Sequence, residues 1–208
     1  MRVENCYNTE DFKKLAKQNL PSPIFHYIDG GSDDEITLKR NRESYENCDL
    51  VPNILRGIKK IDLSTTVMGQ SLSMPLFCSP TASQRLFHHE GEKAVAKAAE
   101  KFGTMFSVSS LATVNLEEVA SIKTPKMFQV YYHKDKGLTE SMLDQCHDTN
   151  FDVLALTVDT VALGNRERDL RTGFTMPLKL SLASILSFMT HPSWAINYFT
   201  HSKFELPI

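Results

Sequence analysis

Residues 154 to 170, LALTVDTVALGNRERDL, begin as an apolar run and end in charge. Thr157 and Asp159 stand where a buried strand would carry aliphatic side chains, and Arg166, Glu167, Arg168 and Asp169 follow closely. Three other segments close in the same way: LFCSPTA on Ser79 and Thr81, TMFSVSS on Ser109 and Ser110, and KMFQVYY on Gln129 and Tyr131. One hydroxyl at a strand end is readily satisfied by its own loop. Four such ends together offer hydroxyls, an amide that both donates and accepts, and the backbone of a Pro80-Thr81-Ala82 turn. That set suits a flat, polar, partly anionic ligand. Neither GxGxxG nor GxxxxGK[ST] occurs in the sequence, so such a ligand is expected to bind without a glycine-rich phosphate loop. Arg166 and Arg168, beside Glu167 and Asp169, read by themselves as a loop of solvated ion pairs.

The elements that must position these groups alternate in type. Phe12, Leu15, Ala16 and Leu20 have helical spacing behind Thr9 as an expected N-cap, with Pro21 as the stop. A short helix over PIFHYIDGG ends at Gly30 and Gly31. Asp33 is expected to cap DEITLKRNRESY, and DLSTTVMGQSLSMP turns like a β-hairpin. From Leu76 the pattern becomes strand and helix in alternation: LFCSP, EGEKAVAKAAEKF closing on Gly103, TMFSVSS, LEEVASI with Asn115 and Glu118 in a capping-box relation, KMFQVYY, a helix capped by Thr139, and FDVLALTVDT. Repeated β/α units predict a parallel sheet, either doubly wound or a (β/α)8 barrel. Polar groups gathered at the C-terminal strand ends favour the barrel, whose active sites are built there. Residues 1–75 are read as a helical and hairpin extension, 76–177 as the first four β/α units, and 178–208 as an amphipathic tail.

At 208 residues, with 41% hydrophobic and 23% charged side chains, the composition is that of an ordinary globular chain. A net charge of -2 with scattered Lys and Arg gives no basic face, so nucleic acid is not an expected partner. The four cysteines, Cys6, Cys48, Cys78 and Cys146, show no CxxC pair, which argues against a zinc site or a disulfide framework and for a reducing, cytoplasmic setting. No metal is expected.

In the order and spacing of FHYIDGGSDDEITLKRN, MPLFCSPTA, EGEKAVAKAAEKFG, SVSSLATVNLEEVA, FQVYYHKD and LALTVDTVALGNRERDLRTGF, the chain resembles the FMN-dependent L-2-hydroxy-acid oxidases and dehydrogenases. The resemblance implies the N-terminal half of a (β/α)8 TIM barrel and oxidation of a lactate-, mandelate- or glycolate-type acid to the 2-oxo acid. It implies FMN as cofactor, with the Pro80, Thr81 and Ala82 turn, Ser109, Gln129 and Thr157 as contacts to the flavin. It implies further that Tyr27 and Arg166 hold the substrate carboxylate, that Tyr131 hydrogen-bonds the substrate hydroxyl or product ketone, and that Asp159 pairs with the catalytic histidine. The chain departs from the family at Val161, where proline is usual, at Asn165, where a second arginine is usual, and at His89, where proline is usual.

None of the histidines at positions 26, 88, 89, 133, 147, 191 and 201 is followed by Gly-Gly-Arg, the family setting of the general base. The expectation is a chain that stops before the catalytic histidine. The alternative is a non-catalytic half-barrel, either a fragment or the assembly partner of a separately encoded C-terminal half. A homo-oligomer is a further partner class. The tail, with Leu182, Ile185, Leu186, Met189, Trp194 and Phe199 beside Lys179 and Lys203, resembles the insert of membrane-associated relatives. Peripheral membrane contact through 178–204 and simple coverage of the barrel are equally compatible with it.

Overall fold

The computed structural model describes residues 2–175, 179–201 and 205–207. In chain order its helices and strands are α1 (Thr9–Asn19), α2 (Ser22–Asp29), α3 (Ile36–Glu46), β1 (Thr65–Val67), β2 (Gln70–Leu72), α4 (Glu92–Phe102), β3 (Phe106–Ser109), α5 (Leu116–Ala120), β4 (Lys126–Tyr131), α6 (Lys136–Asp148), β5 (Val153–Thr157), α7 (Glu167–Thr172), α8 (Leu182–Met189) and α9 (Pro192–Thr200). The chain divides into two compact units. Residues 1–58 and 162–199 form one, and residues 59–161 and 200–208 the other.

In the first unit α2 packs on α1, α7 and α8. Helix α1 starts one residue earlier than Thr9 suggested. Asn8 Oδ1 accepts from the Asp11 amide at 2.9 Å, which makes Asn8 the N-cap, and the Asp11 carboxylate accepts from the amide of the preceding Tyr7 at 3.2 Å. Helix α3 is preceded by Glu35 in the left-handed region rather than capped by Asp33. Asp33 instead binds Asn165, its carboxylate accepting from Asn165 Nδ2 at 2.9 Å while its amide donates to the Asn165 carbonyl, also at 2.9 Å. Gly164 allows this approach, since a Cβ there would lie 2.1 Å from Ser32 Oγ. Asn165, one of the departures from the family pattern, thus fastens its loop through an amide.

In the second unit β3, β4 and β5 form a parallel sheet in that order, and β1 and β2 pair as the expected hairpin. LFCSP does not form a strand; it contributes a single bridge, Cys78 to Phe106. The alternation in Phe106-Ser107-Val108-Ser109 sends successive side chains to opposite faces. One face carries Phe106, Val108, Phe128 and Val130 into a core with Ala96 and Ala99 of α4, Leu116 and Val119 of α5, and Met142 and Cys146 of α6. On the other face Met127 packs with Leu72 of the hairpin and Met105, flanked by Val153 and Ala155. This second face is therefore apolar at the base of the sheet and polar at the C-terminal strand ends.

Helix α4 ends as expected, with Gly103 in the left-handed conformation. Two expected caps differ. Asp135, not Thr139, caps α6 by accepting from the Leu138 amide at 3.3 Å, and Thr139 lies within its first turn. Glu118 does not return to Asn115; its carboxylate takes Lys93 Nζ at 2.8 Å, and a charge-assisted pair competes well with a neutral backbone donor.

Candidate functional site

Sheet register explains how the polar side chains meet in the second unit. Ser109 is the register partner of Gln129, and Thr157 that of Tyr131, so all four share the face that carries Met127 lower down. Ser109 Oγ donates to Gln129 Oε1 at 3.3 Å, and Gln129 Nε2 donates to Thr157 Oγ1 at 2.6 Å, which fixes the orientation of the amide. Ser109 Oγ also accepts from the Leu111 amide at 3.1 Å. Ser109 and Gln129 are buried, Tyr131 and Thr157 half-buried and Asp159 exposed. Beyond this row a depression of about 520 Å³ is lined by Tyr131, Tyr132, Leu156, Thr157, Val158 and Thr160. Its size is that of a small-molecule pocket.

The turn at Pro80, Thr81 and Ala82 is held from behind by Gln84, whose Nε2 donates to Thr81 Oγ1 at 2.8 Å. Gln84, Glu92 and Thr113 had no role assigned from sequence. Glu92 is completely buried, and its carboxylate accepts from the Thr113 amide at 3.0 Å, the Thr113 hydroxyl at 2.8 Å and the Gln84 amide at 3.4 Å. An acid in the first helical turn behind a glycine was the one available signal, and it reads equally as an ordinary helix start.

In the first unit Arg166 closes the C-terminal end of α2. Its Nη1 donates to the Gly30 carbonyl at 3.1 Å, Nη2 donates to the Tyr27 carbonyl, and Nε donates to Asp169 at 2.6 Å. The guanidinium carbon sits 5.4 Å from the centre of the Tyr27 ring. Arg168 is committed elsewhere: Nη1 donates to Asp29 at 2.8 Å and Nη2 to Glu35. Burial raises the Asp29 carboxyl, but hydrogen bonds from Lys13 and Arg168 outweigh it and hold the group below its ordinary value. Glu35 is lowered chiefly by the Gly31 amide, with Arg168 assisting. Burial, with Arg168 nearby, lowers His26, whose Nδ1 is buried without a hydrogen-bond partner among the described residues.

The family model for FMN-dependent dehydrogenase matches residues 16–206. The chain is a member of the FMN-dependent dehydrogenase family. Family members depend on FMN and are oxidoreductases. The chain is 42% identical over 176 residues to glycolate oxidase 1 of Oryza sativa subsp. indica, covering 84% of this chain and 48% of that protein. It is 42% identical over 188 residues to L-lactate oxidase of Nostoc sp., covering 88% and 52%. Among solved structures it resembles the monotopic membrane protein (S)-mandelate dehydrogenase, with a TM-score of 0.90 at 31% identity over 97% of this chain and 54% of that one. The chain thus spans about half the length of the relatives it matches, and its fold is the N-terminal half of a (β/α)8 barrel.

Proposed function

We propose that the protein takes part in FMN-dependent oxidation of an L-2-hydroxy acid, of the glycolate, lactate or mandelate type, to the 2-oxo acid. The observation that carries the reading is the hydrogen-bonded row Ser109, Gln129 and Thr157 at the polar end of the sheet face. This end of the sheet suits the cofactor. Ser110 Oγ is buried without a hydrogen-bond partner among the described residues. Gln129 Nε2 carries a second hydrogen beyond the one given to Thr157, and the Thr157 hydroxyl has its own proton to donate. Donors in a largely buried row match the carbonyl oxygens and ring nitrogens of a flavin.

When bound, FMN supplies an acceptor for two electrons. Ser109, Gln129, Thr157 and the backbone of Pro80, Thr81 and Ala82 would hold its ring. Tyr27 and Arg166 are assigned to the substrate carboxylate. Three of the five N–H groups of Arg166 face Gly30, Tyr27 and Asp169, so a carboxylate would engage the others. Tyr131 would hydrogen-bond the substrate hydroxyl and then the ketone oxygen. Asp159 would stabilise the imidazolium form of the histidine that takes the hydroxyl proton.

Anaerobic mixing of the FMN-loaded protein, completed by the family's C-terminal half, with glycolate, L-lactate or (S)-mandelate tests the reading. Loss of the flavin's visible absorbance with matching formation of 2-oxo acid is expected. An unbleached, fully bound flavin with all three acids would refute it.

Two surfaces support partner proposals. Leu154 and Leu156 of β5 are 50% and 56% exposed, and they lie on the face that helices cover over Phe128 and Val130. A parallel sheet is covered on both faces, so we assign this edge to further β/α units, the family's C-terminal half, rather than to a second copy of the chain. On α8 and α9, Leu182, Leu186, Met189, Ile196 and Phe199 are exposed. No helix among the described residues is long and apolar enough to cross a membrane. Peripheral contact with a lipid surface is the corresponding proposal, tested by co-sedimentation with anionic vesicles. Leu178 and Phe204, the ends of the expected contact, lie outside the described residues.

A further inference from the structure

We infer that Glu92 is a positioning residue for the flavin-binding loops, acting through Gln84 on the Pro80-Thr81-Ala82 turn and through Thr113 on the loop that follows Ser109. The inference rests on the FMN reading above.

A fully buried carboxylate is costly unless it is paired or hydrogen-bonded. Glu92 has no ion pair among the described residues, and its compensation comes from three donors. It also lies in the first turn of α4, where backbone N–H groups favour negative charge. The donors come from two different loops. Gln84 belongs to the loop after Cys78, and its side chain holds both the Thr81 hydroxyl at 2.8 Å and the Thr81 carbonyl at 3.4 Å. Thr113 belongs to the loop after β3.

The two loops are then sewn to each other. Arg85 donates its amide to Thr113 Oγ1 at 3.1 Å and its Nη1 to the Thr113 carbonyl at 2.6 Å, and the Ser83 amide donates to the Leu111 carbonyl at 3.0 Å. Leu111 in turn donates its amide to Ser109 Oγ. Gly91, with φ +52, permits the closure, because a Cβ there would lie 2.9 Å from Arg85 Cγ. One carboxylate therefore fixes the relative placement of Thr81 and Ser109 without touching the ligand. Burial in a packed core alone would call for an aliphatic residue at position 92, whereas the observed acid ties together two loops that each end in a proposed flavin contact.

The test compares the parent chain with Thr113→Val, Glu92→Ala and a core control, Val119→Ala, by amide hydrogen exchange and by FMN titration followed through flavin fluorescence. Thr113→Val keeps the side-chain shape and removes the bridging hydroxyl, so it decides the matter if Glu92→Ala does not fold. In Thr113→Val the amides of Ser83, Gln84 and Arg85 should exchange roughly tenfold faster while those of α6 are unchanged, and FMN affinity should fall roughly tenfold. The Val119→Ala control should lower the melting temperature and leave the affinity within about twofold. Unchanged exchange at Ser83 to Arg85, or an equal loss of FMN in the core control, would overturn the inference. Failure of the parent chain to bind FMN would instead refute the FMN reading, and the exchange data would still decide whether Glu92 ties the loops.

Discussion

Gln129 Nε2 donates to Thr157 Oγ1 at 2.6 Å and so ties the C-terminal ends of β4 and β5 through side chains as well as through the ladder. The bond sets which end of the amide faces Ser109, whose hydroxyl meets Gln129 Oε1.

Thr157→Val removes that acceptor while keeping the β-branched shape of a strand residue. The Gln129 amide is then free to rotate. FMN affinity is expected to drop about tenfold, or about 1.4 kcal/mol, with little change in melting temperature. Fluorescence titration beside a thermal melt checks both parts.

In the protein completed by the family's C-terminal half, Arg166→Lys and Arg168→Lys should separate function from stability. Lysine at 166 keeps a charge but loses the planar fork over Tyr27, and misplacing a carboxylate by about 1 Å can cost on the order of 10²-fold in rate. Lysine at 168 breaks a two-carboxylate clamp on Asp29 and Glu35 and should lower the melting temperature more than kcat/KM for a 2-hydroxy acid. A larger kinetic loss at position 168 would show that the substrate role is assigned to the wrong arginine.

Acid should weaken the first unit in two stages. His26 titrates below its ordinary value in the folded chain, so its contribution is full above the ordinary histidine value of 6.5 and declines as pH falls from there toward the folded value. Asp29 and Glu35 are also lowered, from 3.8 and 4.5, so their contribution is present above those values and is lost as pH falls through the folded ones. Melting temperature against pH should fall across both windows. His26→Gln should flatten the upper fall, and Arg168→Met the lower one.

Much of this was legible in the sequence because it is local or periodic. TMFSVSS read as a strand, EGEKAVAKAAEKF as its preceding helix, and Gly103 as that helix's end. Three of the expected polar strand ends marked Ser109, Gln129, Tyr131 and Thr157 before register joined them. Caps were less legible, because Asn8, Thr9 and Asp11 are all competent and only three-dimensional placement chooses among them. Apart from Asp169, the partners of Arg166 and Arg168 were hidden for a different reason. They lie on α2 and on the segment that links α2 to α3, more than a hundred residues earlier, and no local spacing encodes such a contact. Glu92 was missed because a buried acid and a surface acid look alike until burial is known.

The central claim is that the C-terminal ends of β3, β4 and β5 hold a flavin ring. Titration of FMN with the parent chain and with Gln129→Leu, read by quenching of flavin fluorescence, tests it most directly. Saturable one-to-one binding by the parent is expected, with affinity at least roughly tenfold weaker in the variant, whose folding is confirmed by an unchanged far-UV spectrum. Equal affinity in the two proteins, or no saturable binding by the parent, would contradict it.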